Sequence, residues 1–163
     1  MTTARQDANP NRLMAVVLDP GSIGRSRPEI EHERDVAMLD LIDSNHFVLE
    51  EGPEGPYRLQ IGFAGERLVL DVSGQEFQPL TSLQLPLGPF RRLIKDYFII
   101  CESYVEAIRT APPSRIEAID MGRRSLHDEG STLLADRIKP RIAIDFATAR
   151  RMFTLICALH WKG

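Results

Sequence analysis

"LTSLQLPLGPFRRLIKDYFIICESYVEAIR", residues 80–109, changes its hydrophobic period part-way along. Up to Leu87 it reads as one more short strand in a series. From Pro89 the apolar positions Phe90, Leu93, Ile94, Tyr97, Phe98, Cys101, Tyr104, Val105 and Ile108 fall on one broad helical face. Tyr97 and Tyr104 follow heptad spacing and read as packing at the core edge, while Ile99 lies off the stripe. The Pro112–Pro113 pair ends this helix. The switch divides the chain into a strand-rich first half and a helical second half, and that order decides the fold class.

Working back toward the amino terminus, "HFVLE", "YRLQIGF" and "RLVLDV" are short segments separated by Gly, Pro and acidic turns. Tyr57, Leu59, Ile61 and Phe63 alternate with Arg58, Gln60 and Gly62, the period of a strand with one wet and one buried face. "RLMAVVLD", residues 12–19, is a further strand stopped by Pro20 and Gly21. "SRPEIEHERDVAMLDLIDS" opens with Ser26 three residues before Glu29, a capping-box spacing. It places Ile30, Val36, Leu39 and Ile42 on a rough helical stripe.

Working forward, Ser114 and Glu117 offer a second capping box, for a helix that runs toward Ile138 with Gly122 and Gly130 as points of interruption. Asp145 is placed to cap a last helix with Phe146, Ala149, Phe153, Ile156, Cys157 and His160 facing inward. The expected fold is α+β: an antiparallel meander of about four to five strands with four helices packed mainly on one face. Residues 1–11 read as a loose tail without the apolar middle of a secretory signal, and 12–163 as one domain.

Composition narrows the function. A net charge of −3 disfavours sequence-independent nucleic-acid binding, and no apolar run reaches bilayer length. Two cysteines, Cys101 and Cys157, sit inside apolar segments, which suits buried thiols in a reducing cytoplasm. Of 20 basic residues, 17 are arginine. The planar guanidinium suits carboxylate and phosphate recognition, although a GC-rich genome gives the same bias.

The densest chemistry lies in "IEAIDMGRRSLHDEG", residues 116–130. On a continuous helix Ile116, Ile119, Leu126 and Leu133 define an apolar seam. Arg123 falls close to that seam, with Asp120 and His127 at its border. Asp120 can reach Arg123 at i, i+3 and Arg124 at i, i+4, giving a structural ion pair. The functional alternative is a pocket in which Arg123 and Arg124 hold an anion, His127 is a proton donor or acceptor, and Asp120 orients it.

Other motifs are weaker. "DPGSIGRSRPEIE" has a strand–loop–helix layout but lacks P-loop spacing, and its glutamates would repel an anion. Glu29 with His32, Asp43 with His46 and Cys157 with His160 have the spacing of partial metal sites, none complete, so no metal or cofactor is expected. The arginine pairs Arg91/Arg92 and Arg150/Arg151 read as solvated faces or, alternatively, as docking surfaces for an acidic partner.

"GRSRPEIEHER", "PFRRLIKDYFIICESYVEAIR", "IEAIDMGRRSLHDEGSTLL" and "FTLICALHWKG" together resemble uncharacterised protein family 0262, a small bacterial family found chiefly in alphaproteobacteria. The resemblance runs from about Asn11 to the end of the chain. It implies a bacterial cytoplasmic protein and brings no activity, cofactor or catalytic residue with it. Two readings follow: a non-enzymatic binding module for a protein partner or small anionic ligand, or an enzyme acting on a phosphorylated or carboxylated metabolite. The first rests on the lack of a complete catalytic constellation, the second on His127 beside an arginine clamp.

Overall fold

The computed structural model describes residues 9–161. Most of the expected tail, residues 1–8, lies outside them. At Asn11 the chain is already engaged, its carbonyl accepting the Phe47 N–H at 3.0 Å. The elements in chain order are β1 (Leu13–Leu18), α1 (Pro28–Asp43), β2 (Phe47–Leu49), β3 (Tyr57–Ala64), β4 (Arg67–Ser73), β5 (Pro79–Pro86), α2 (Gly88–Thr110), α3 (Pro113–Ile138), β6 (Ile142–Ile144) and α4 (Phe146–His160).

The fold is α+β, and the strand-to-helix switch falls where the period changes. The sheet, however, is not an antiparallel meander. Four strands form a mixed sheet in the order β1-β3-β4-β5. β3, β4 and β5 are antiparallel neighbours, but β1 runs parallel to β3, pairing Val16 with Leu59 and Leu18 with Ile61. A parallel partner requires a crossover between the strands, and α1 supplies it. β2, expected in the meander, instead pairs antiparallel with β6 in a separate two-stranded sheet, Phe47 opposite Ile144.

The β3–β4 hairpin closes through Gly65 and Glu66, with Ala64 opposite Arg67. Gly65 holds φ +59°, which a two-residue hairpin needs and glycine adopts without strain. Leu59, Ile61, Leu68, Leu70, Val72, Leu83 and Leu85 point from the buried face of the sheet into one core shared with Phe90, Ile94, Leu134, Ile138, Met152, Phe153 and Ile156 of the helices. Gln60, Asp71 and Gln84 on the other face are exposed. Hydrophobic burial on one face of the sheet thus fixes where the helices sit.

Two capping boxes do not form. α1 starts after Arg27, and the Ser26 backbone N–H donates to Glu31 Oε1 at 2.8 Å, so the glutamate, not the serine, ties this end. α3 starts after Pro112, without a side-chain cap. Asp145 does cap α4, its Oδ1 accepting the Thr148 N–H at 2.8 Å. α1 buries Ile30, Arg34, Ala37 and Leu41, leaving Val36 and Leu39 exposed. Arg34, 7% exposed, sits inside the stripe because its Nη1 donates to the Gly24 carbonyl at 2.9 Å. Phe146, expected inward, is exposed, as are Val105 and Ile108 at the far end of α2.

α3 is one helix of 26 residues, unbroken at Gly122 and Gly130. Its buried face is His127, Gly130, Ser131, Leu134 and Ile138, rotated from the expected seam of Ile116, Ile119, Leu126 and Leu133, which are only half-buried. The glycines are contact points. A Cβ on Gly122 would stand 2.8 Å from Ile100 Cδ1, and one on Gly130 would enter the Phe153 ring. Gly130 therefore sets how closely α3 can approach α4, and this approach positions the site described next.

Candidate functional site

α3 and α4 face each other across a cleft of about 390 Å³ lined by Tyr97, Arg123, Arg124, His127, Ala147, Arg150, Arg151 and Thr154. Arg123, Arg124 and His127 come from α3 and the rest, apart from Tyr97 of α2, from α4. Four guanidinium groups line this cleft and no carboxylate does, among the described residues.

The arginines are held to different degrees. Arg123 donates from Nε and Nη2 to Asp120 Oδ1 at 3.1 and 2.6 Å, and its guanidinium lies 4.9 Å from the Tyr104 ring centre. Arg124 Nη2 meets Asp120 Oδ2 at 2.9 Å. Asp120 thus serves two cations at once, and its hydrogen bond from Arg123, with the nearby Arg124 charge, holds its carboxyl below the usual range. Arg150 Nε stands 3.5 Å from Asp128 Oδ1, an ion pair too loose for a hydrogen bond. Arg151, half-buried on the wall, has no hydrogen bond or ion pair among the described residues.

His127 is 8% exposed. Its ring sits 5.3 Å from Phe153, edge to face, and 5.4 Å from Tyr97. Nε2 lies 2.8 Å from Thr154 Oγ1, and that hydroxyl donates its one proton to the Arg150 carbonyl at 2.9 Å. The network therefore assigns the imidazole proton to Nε2 as donor, leaving Nδ1 a buried lone pair without a partner. Burial, then the Arg150 and Arg123 charges, push its pKa below the usual 6.5, against an opposing pull from Asp128. Tyr97 beside it is pushed up to about 12, chiefly by burial.

A pH dependence follows from the depressed histidine. On acidification the unfolded chain takes up the proton first, at about pH 6.5, while folded His127 stays neutral. Stability from this group is full above that pH and declines as pH falls toward the folded value. The melting-temperature difference between wild type and His127→Gln is expected to shrink from pH 7.5 to pH 5. A constant difference would contradict a neutral, buried His127.

The structure brings Arg123, Arg124 and His127 to one wall. Asp120 is directed to the two arginines, whereas His127 contacts Thr154, Tyr97 and Phe153. Arg150 and Arg151, read from sequence as a solvated pair, supply the opposite wall. Their signal was present in the arginine-rich first turns of α4, but joining it to α3 needs the close helix contact at Gly130. Arg91 instead pairs with Glu66, and Arg92 lies 3.8 Å from Asp96.

The remaining motifs are spent locally. Asp19 accepts from the Gly21 N–H at 3.2 Å and Ser22 Oγ at 2.7 Å, so its carboxylate is engaged within the β1–α1 loop. His160 Nδ1 bonds to the Ile156 carbonyl at 2.8 Å, and its ring meets the edge of Phe63. Among the described residues no group of three or more His, Cys, Asp or Glu side chains could hold a metal ion. None of their helices is long and apolar enough to cross a membrane.

Fold and cleft together define an α+β protein with an arginine-walled cleft between its last two helices. Residues 10–162 match the Uncharacterised protein family UPF0262, and the chain belongs to that family. It is similar to the UPF0262 protein of Rhodopseudomonas palustris strain BisA53, 55% identical over all 163 residues of both chains. The relative from Azorhizobium caulinodans is 58% identical over 160 residues, covering 97% of this chain and 99% of its own. That from Bradyrhizobium diazoefficiens is 55% identical over 159 residues, 97% of this chain and 96% of its own. No solved structure matches the chain.

Proposed function

We propose that this protein is a non-enzymatic binding module that takes a small anionic ligand, phosphorylated or carboxylated, into the α3–α4 cleft. One observation carries the reading: among the described residues, four guanidiniums and no carboxylate line the cleft, and Arg151 there has no hydrogen bond or ion pair. An unpaired, partly desolvated guanidinium forms strong charge-assisted hydrogen bonds with a bound carboxylate or phosphate. Arg150, loosely tied to Asp128, is available to join it. His127 supports binding over proton transfer, because Nε2 is tied to Thr154 and Nδ1 is buried. Two free thiols, Cys101 and Cys157, support a reducing cytoplasm as the place of work.

The test is calorimetric titration with orthophosphate, pyrophosphate and citrate. Saturable binding of one ion per chain, weakening with added salt, is expected for at least one of them. Asp120→Asn removes the charge that competes for Arg123 and Arg124, so it is expected to tighten that binding severalfold. No saturable heat with any of the three, or weaker binding by Asp120→Asn, would contradict the reading.

A further inference from the structure

A second concavity, about 650 Å³, lies between α2 and the carboxy-terminal half of α4. Its floor is apolar: Phe98, Cys101 and Val105 from one helix, Cys157, Ala158 and Trp161 from the end of the other. Both thiols are raised above their usual pKa, chiefly by burial, so the floor carries no charge at neutral pH. The margin differs, since Glu33, Glu102 and Glu106 line it and no basic residue does among the described residues.

The α2 side of this groove has a particular period. Ile94, Phe98, Cys101, Val105 and Ile108 are spaced alternately by four and three residues, the a/d pattern of a helix that packs along another helix. The start of this seam is buried in the core at Ile94. Farther along, the described residues leave it open, Val105 being 62% and Ile108 54% exposed. An apolar helical seam flanked by one sign of charge matches a helix with an apolar stripe and the opposite sign beside it.

We infer that this groove receives an amphipathic helix from a protein partner, its apolar stripe on the Phe98–Val105 seam and its flanking lysines or arginines against Glu33, Glu102 and Glu106. Charge argues against a second copy of this chain as the occupant. A two-fold contact places the same patch on both sides, so the glutamates of the two copies would meet. Tyr97 and Thr154 wall both this groove and the arginine cleft, so the two sites are neighbours. The inference does not depend on anion binding.

Trp161 is the only tryptophan, lines the groove and is 40% exposed, which makes it a reporter. Full-length protein is titrated with a synthetic amphipathic helix of leucine and lysine and with its leucine–glutamate counterpart. The lysine peptide is expected to shift Trp161 emission to the blue and to bind about ten-fold tighter than the glutamate peptide. Glu102→Lys with Glu106→Lys is expected to reverse that preference, while Glu50→Lys with Glu51→Lys, exposed elsewhere, leaves it unchanged. Val105→Glu with Ile108→Glu is expected to abolish the shift while circular dichroism reports an intact fold. Equal affinity for the two peptides, or no emission shift, would overturn the proposal. So would a wild-type dimer in sedimentation that the Val105→Glu, Ile108→Glu variant dissolves, because the occupant would then be a second copy.

Discussion

Replacing Gly130 with alanine is expected to destabilise the protein by about 2 kcal/mol, although alanine is the better helix former by about 1 kcal/mol. The added methyl would come within 3.0 Å of three Phe153 ring carbons, Cζ, Cε1 and Cε2. Phe153 is fully buried and has aromatic neighbours in His127, at 5.3 Å, and Tyr97, at 6.4 Å, so a shift of the ring disturbs a packed core. Overpacking of a close-packed core typically costs about 1–3 kcal/mol, and a collision with a fixed ring belongs at the upper end, which outweighs the gain in helix propensity. Chemical denaturation gives the number. Phe153→Leu removes the opposing ring edge, so the double variant is expected to lose less than the sum of the two single losses. A Gly130→Ala protein as stable as wild type would show that the α3–α4 approach is not set at this residue.

The second large effect concerns Arg151. Arg151→Ala is expected to weaken pyrophosphate binding by about 10- to 150-fold, the loss of one hydrogen-bonded charge contact worth roughly 1.5–3 kcal/mol. It is expected to change stability by less than about 0.5 kcal/mol, because the side chain has no hydrogen bond or ion pair to lose among the described residues. The combination separates a binding arginine from a structural one. Arg123, hydrogen-bonded to Asp120 and stacked on Tyr104, would lose protein contacts as well as ligand on truncation. If Arg151→Ala lowered stability and left pyrophosphate affinity intact, Arg151 would be a structural residue and the cleft would lose its principal donor.

These effects trace back to features that differ in how plainly the sequence displays them. The switch to helical period at Pro89 and the Asp145 cap are local signals, decided by residues within a turn or two of one another, and both reappear in the structure. The parallel seat of β1 and the β2–β6 pair are settled by residues far apart in the chain. Three-residue strands such as Phe47–Leu49 and Ile142–Ile144 are also too short to show a period.

α3 shows a subtler failure. Its buried face is made of His127, Gly130 and Ser131 as much as of Leu134 and Ile138, because the Phe153 ring from α4 fills the space above a small residue. Apolar spacing therefore marks Leu126 and Leu133, half a face away. The site was legible to the same extent. Asp120, Arg123, Arg124 and His127 share one helix and could be read together, whereas Arg150 and Arg151 join them only through the contact permitted by Gly130, which the sequence marks as an interruption rather than a contact point.

The claim that this contact builds an anion site is tested most directly by soaking crystals in tungstate and mapping its anomalous signal. A peak is expected in the α3–α4 cleft within hydrogen-bonding distance of Arg151 and at least one of Arg123, Arg124 and Arg150. Tungstate bound only elsewhere on the surface, with the cleft vacant at the same concentration, would contradict it.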